Sequence, residues 1–168
     1  IIAPMDDVTD TVFRQIIGDL AAPDLYFTEF TSVDGMTSEQ GREPVSRRLQ
    51  FTEKERPIIA QIWGNDPQKF FEAAKMCAEM GFDGIDINMG CPEKSVVKRD
   101  CCSALIKNHE LAAQIIQRTK DGSSGLPISV KTRIGFREIE TEDWVSFLLK
   151  QDIVALTVHG RTVREMSK

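Results

Sequence analysis

The stretch Asp66-Pro67-Gln68-Lys69-Phe70, running on through Gly81-Phe82-Asp83-Gly84-Ile85-Asp86-Ile87-Asn88, is punctuated as one helix followed by one buried strand. Asp66 is a natural N-cap, Pro67 suits the first helical position, and Gly81 suits the position just past the end. Between them Phe70, Ala74, Cys77 and Ala78 share one helical face. Asp83–Asn88 then reads as a strand, and a long loop follows through Asp100.

The same alternation extends in both directions. Upstream, Ile1–Pro4 reads as the end of a buried strand, and Thr9 is expected to cap a helix with Val12, Phe13, Ile16, Ile17 and Leu20 on its apolar face. Leu25–Phe30 and Ile58–Trp63 read as strands, separated by a polar, mixed stretch from Ser32 to Arg56. Downstream, Asn108 caps a helix carrying Leu111, Ala112, Ile115 and Ile116, and Ile128–Thr132 is a strand after the Gly122–Gly125 turn. Thr141 is expected to cap a helix with Trp144, Phe147 and Leu148, and Ile153–Val158 is the last strand.

Six strands interleaved with helices make an α/β domain with a parallel sheet. A doubly wound sheet would carry a glycine-rich phosphate turn after its first strand, and Ala3-Pro4-Met5-Asp6-Asp7 is not one. Instead, polar or reactive residues sit at successive strand ends: Met5, Glu29, Gln61, Asn88, Lys131 with Arg133, and His159. That is the catalytic face of a (β/α)8 TIM barrel, which typically needs about 250 residues. The expectation is therefore an incomplete barrel, about six of its eight βα units being present in 168 residues.

Composition narrows the function classes. Lys and Arg total 21 against 26 Asp and Glu, for a net charge of -5 and a pI near 5.1. Bulk positive charge is thus excluded as a means of holding nucleic acid or an anionic membrane, although local basic patches are not. Hydrophobic residues make up 41%, enough for a packed core, and no apolar run approaches a membrane span. The four cysteines, Cys77, Cys91, Cys101 and Cys102, form no Cys-x-x-Cys pair, and neither His109 nor His159 has metal-site spacing. Reduced thiols, a cytoplasmic setting and no metal are expected. Beginning at Ile1 rather than Met, the chain is expected to start inside a reading frame.

Cys91 is the most informative residue. Held between Gly90 and Pro92 just past a strand end, its thiol is placed to act as nucleophile or proton donor; the alternative is a buried turn cysteine. Cys101 and Cys102 read as packing residues at a helix start. Lys131 and Arg133 lie two apart and so face the same side of their strand. Their spacing leaves two readings open: inward cations that need an anionic or electron-rich partner, or a solvated strand end paired with carboxylates. Gln61 is an amide on an apolar strand, which needs partners from a ligand or from a core network.

Together these blocks have a known order. Ala3-Pro4-Met5, Gln61, Asn88-x-Gly90-Cys91-Pro92, Val130-Lys131-x-Arg133-x-Gly135 and His159-Gly160-Arg161-Thr162 resemble the tRNA-dihydrouridine synthases over essentially the whole chain. The resemblance implies an FMN-dependent (β/α)8 barrel followed by a helical tRNA-binding domain. It also implies NADPH-driven reduction of the C5–C6 double bond of uridines in tRNA. By motif, Ala3, Pro4, Met5, Gln61, Lys131 and His159 bind the cofactor. The same resemblance implies that Asn88, Arg133 and Arg161 bind the substrate and that Cys91 is the general acid. An unperturbed thiol, with a pKa of about 8.5, is mostly protonated at neutral pH, as this role requires.

Two departures stand out. Lys98-Arg99-Asp100-Cys101-Cys102-Ser103 replaces a stretch that is usually glycine-rich in the family. The loop cations Lys94, Lys98 and Arg99 form either a solvated surface or a contact with the tRNA backbone. Residues 1–168 are expected to be the N-terminal part of the barrel domain, without the helical domain, and inactive alone until a missing C-terminal segment closes the barrel. Other readings are an FMN barrel of the dihydroorotate or dihydropyrimidine dehydrogenase type, against which His159-Gly160-Arg161-Thr162 argues, and a non-catalytic barrel half.

Overall fold

The computed structural model describes residues 1–166. Its helices and strands run α1 (Thr11–Ala21), β1 (Tyr26–Phe27), β2 (Thr31–Ser32), α2 (Val33–Thr37), α3 (Glu39–Ser46), β3 (Ile58–Trp63), α4 (Pro67–Glu79) and β4 (Gly84–Met89). They continue with α5 (Lys94–Val97), α6 (His109–Gly122), β5 (Ile128–Arg133), α7 (Thr141–Leu149) and β6 (Ala155–His159). The helix with the clearest punctuation forms as the sequence predicts. Asp66 accepts from the Gln68 and Lys69 N–H groups at 2.9 and 3.4 Å, and Gly81 turns the chain at φ 80°.

All strand pairs are parallel, and the sheet order β1-β3-β4-β5-β6, with β2 also on β3, follows chain order without reversal. A doubly wound sheet reverses direction at its switch point. This sheet does not, and the architecture is a parallel α/β half-barrel.

One side of the sheet makes the core. Ile58, Ala60 and Ile62 of β3, Ile85, Ile87 and Met89 of β4, and Ile128 and Val130 of β5 are buried against the helices. Phe70, Ala74 and Cys77 of α4, Ala112, Ile115 and Ile116 of α6, and Trp144 and Leu148 of α7 cover them. Each large side chain buried this way contributes roughly 1.5–3 kcal/mol. Helices α4 and α6 approach closely at Gly122, where a Cβ would stand 2.2 Å from the Phe71 carbonyl oxygen. His109 stacks on Phe147, ring centroids 4.5 Å apart, so it packs the α6–α7 contact.

Several expectations are corrected. Ile1–Pro4 forms no ladder; Ile2 N–H donates to the Leu25 carbonyl at 3.1 Å and the segment otherwise runs free of the sheet. Of the expected strand Leu25–Phe30 only Tyr26–Phe27 forms, as β1; β2 lies just beyond its end, and both pair with β3. The cap of α1 is Asp10, whose side chain accepts from Phe13 N–H at 2.8 Å, while Thr9 is spent bonding Met5. Position 140 rather than Thr141 is the N-cap of α7.

The largest difference is the face of α1. Val12, Ile16 and Leu20 are exposed, and the only fully buried residue of the helix is Arg14. Its guanidinium bonds Glu55 Oε2 at 2.7 Å and the carbonyls of Thr9 and Gln50 at 2.6 and 2.7 Å. A polar anchor, not the apolar stripe, ties this helix to the Gln50–Glu55 segment. Among the described residues no helix is long and apolar enough to cross a membrane.

Candidate active site

The register of the sheet places the polar side chains in rows. Gln61 pairs with Asp86 and Asp86 with Ser129; Asn88 pairs with Lys131; Arg133 pairs with His159. Because side chains alternate along a strand, these residues share the side opposite the apolar core. The row nearest the strand ends opens into a cavity of about 190 Å³, lined by Pro4, Phe30, Gln61, Asn88, Gly90, Cys91, Pro92, Lys131, Arg133 and His159.

The two amides have determined orientations. The Gly90 and Cys91 N–H groups both donate to Asn88 Oδ1 at 3.0 Å, which leaves Asn88 Nδ2 as the donor to Gln61 Oε1 at 3.1 Å. Gln61 Nε2 then donates to Asp86 Oδ2 at 2.6 Å, and Ser129 Oγ donates to Asp86 Oδ1 at 2.5 Å. Each amide NH2 retains a second N–H for a ligand. The buried Asp86 carboxyl is pushed up to about 6, mainly by desolvation; Ser129, Gln61 and the charge of Lys131 oppose the rise.

Of the two open readings for the β5 cations, the inward one describes the structure. Lys131 is half-buried at the cavity, and burial holds its ammonium below the usual lysine range. Among the described residues it makes no ion pair, so it faces the cavity with capacity for an electron-rich partner. Arg133 is only 2% exposed and is held by carbonyls: Nε donates to Gly90 at 2.7 Å, Nη1 to Thr162 at 3.1 Å and to Met166 at 2.7 Å. Burial and the charges of Arg133, Lys131 and Arg161 lower His159, keeping its imidazole neutral at pH 7.

Cys91 is half-buried at the rim. A hydrogen bond from the Cys102 thiol, with help from the Glu93 N–H and the Arg133 charge, pulls its thiol down to about 6 against the effect of burial. Its surroundings thus hold the thiol below the ordinary value assumed for a general acid. Cys101 and Cys102 are buried where the next 3₁₀ turn begins, as read, and Cys102 adopts φ 52°. The Ser103 hydroxyl donates to the Cys91 carbonyl at 2.7 Å.

Not every expected residue joins the cavity. Pro4 lines it, whereas Ala3 and Met5 are exposed outside it. Arg161 is half-buried outside the lining and acts on Arg133 and His159 through its charge. Sequence reading passed over Phe30, Asp86 and Ser129. The signal for Asp86 was its parity with Asn88, both polar between Ile85, Ile87 and Met89.

With this geometry in place, the comparison with known families is decisive: the family described as dihydrouridine synthase (Dus) matches residues 1–168. The chain belongs to the dihydrouridine synthase family. It is 50% identical over 169 residues to a probable tRNA-dihydrouridine synthase of Staphylococcus aureus (strain COL), covering 100% of this chain and 51% of that protein. It is 47% identical, with the same coverage, to probable tRNA-dihydrouridine synthase 2 of Bacillus subtilis (strain 168). This dihydrouridine synthase family chain thus spans about half the length of the curated relatives it matches. Among solved structures it is similar to an old yellow enzyme homologue from Zymomonas mobilis, with TM-score 0.57, 14% identity, and coverage of 98% of this chain and 73% of that one. At that identity the likeness concerns the fold alone.

Proposed function

We propose that the protein is a tRNA-dihydrouridine synthase that uses FMN and NADPH to reduce the C5–C6 double bond of uridine in tRNA, and that residues 1–168 belong to its FMN-binding barrel. The observation that carries this reading is the convergence of Gln61, Asn88, Cys91, Lys131 and His159 on one cavity at the strand ends. The donor set suits the group: an ammonium with no ion pair among the described residues, an amide N–H and an imidazole of lowered pKa match the carbonyl and nitrogen edge of an isoalloxazine ring. When bound, FMN supplies the hydride.

The chain's own residues do the rest. Lys131, Gln61 and His159 hold the ring, with Pro4 against it. The remaining N–H of Asn88 and the fixed charge of Arg133 meet the uracil carbonyls, where negative charge develops in the transition state. Cys91 delivers the proton to C5 and is left as thiolate, the form its surroundings already favour.

A second groove, of about 500 Å³, begins at Pro92 beside Cys91. Lys94, Lys98, Arg137 and Arg164 line it around an apolar floor of Val97, Phe136, Val163 and Met166, with no carboxylate among the described residues. In a chain of net charge -5 this local cationic surface suits the backbone of the tRNA around the target base. The four free thiols fit a cytoplasmic setting.

The test is to incubate the protein with FMN, NADPH and unmodified tRNA and to measure dihydrouridine by mass spectrometry. Cys91→Ala is expected to keep NADPH-dependent flavin reduction and to lose nearly all product. Wild-type product yield from that variant would refute the role of Cys91.

A further inference from the structure

Asp86 is a buried carboxylate that the reaction described above does not use. It is 1% exposed and lies one row below the cavity, at the far end of a continuous chain of hydrogen bonds that ends at the Cys91 turn. The polarity of that chain follows from its fixed members. The backbone N–H groups of Gly90 and Cys91 can only donate, so Asn88 must present Oδ1 to them. Asn88 Nδ2 must then face Gln61 Oε1, and Gln61 Nε2 must face position 86. Only an acceptor at position 86 completes the sequence. A carboxylate accepts on both oxygens, so it serves Gln61 and the Ser129 hydroxyl together. The charge of Lys131 offsets part of the penalty for burying the anion.

We propose that Asp86 is a positioning residue for this site: as terminal acceptor it locks the amide orientations of Gln61 and Asn88, and through them the Gly90-Cys91 turn that presents the reactive thiol. The importance of that thiol rests on the function proposed above; the locking itself does not. Without the acceptor, Gln61 Nε2 is left as an unsatisfied buried donor and its side chain loses the contact that holds Oε1 toward Asn88. Asn88 is then tethered only by the turn it is meant to hold.

The test compares two substitutions that keep the branched outline of Asp86, by amide hydrogen exchange of the apo chain read at Gly90 and Cys91. The Ile87 and Val130 amides of β4 and β5 serve as internal controls. Asp86→Asn keeps an acceptor for Gln61, because the Ser129 hydroxyl can turn to accept instead, and is expected to keep wild-type protection. Asp86→Leu fills the space without accepting. It is expected to speed exchange at Gly90 and Cys91 about tenfold relative to the controls, the scale of one hydrogen bond's net contribution. Wild-type protection in Asp86→Leu would overturn the proposal, as would an equal loss in Asp86→Asn. If Asp86→Leu does not fold, Gln61→Met removes the middle link, and unchanged protection in that variant overturns the proposal instead. Because no flavin or tRNA enters the measurement, its outcome is independent of whether the functional reading holds.

Discussion

At the scale of single residues, the site sets a thiol of lowered pKa beside an ammonium that makes no ion pair among the described residues. Cys91 is held near 6 by a donor on its own sulfur, the Cys102 thiol, rather than by a histidine base. The sign is that of a depressed acid: the folded state favours the thiolate, and the stability this contributes is lost as pH falls through about 6. Alkylation of Cys91 by iodoacetamide should therefore rise with a midpoint near pH 6, whereas the buried Cys77, raised to about 12, should not react in the folded chain. A midpoint near the ordinary thiol value would contradict this account of the Cys91–Cys102 contact. In the proposed role of proton donor, the same value means that each turnover would require the thiol to be reprotonated.

At the scale of elements, legibility followed the kind of signal each carried. The helix capped by Asp66 and the strands β3 to β5 were readable because cap, periodicity and terminal glycine agreed. Strand parity placed Lys131 and Arg133 on one side, but not which neighbours would receive them; Arg133 found backbone carbonyls that no pattern of side chains encodes. Helix α1 misled for a related reason. Its apolar stripe suggested one face, and a single arginine bonded to a distant glutamate and two carbonyls oriented the other inward. Removing one partner of a buried pair leaves the other uncompensated. Arg14→Ala should thus destabilise the chain by about 3–5 kcal/mol in urea unfolding, with Glu55 left behind. A loss below about 1 kcal/mol would show that the apolar packing of α1, and not this pair, holds it.

At the scale of the whole molecule, one side of a parallel sheet is spent on the core, and the strand ends beyond it carry the candidate site. The half-barrel brings together at one rim residues as distant in sequence as Pro4 and His159. Under the proposed function, the cationic side chains beside that rim are where the RNA would lie on an acidic chain. Binding of tRNA should weaken with salt, and replacing Lys98 or Arg164 by Ala should each lower the slope of log affinity against log salt by about one. An unchanged slope in both variants would move the RNA elsewhere. The central claim is that the rim cavity is a flavin site, and the most direct measurement is an FMN titration of this chain followed by flavin fluorescence. Saturable quenching is predicted in the wild type, weakened at least about tenfold in Lys131→Met because the ammonium lining the cavity is gone. Saturable quenching with the same affinity in the variant would contradict it.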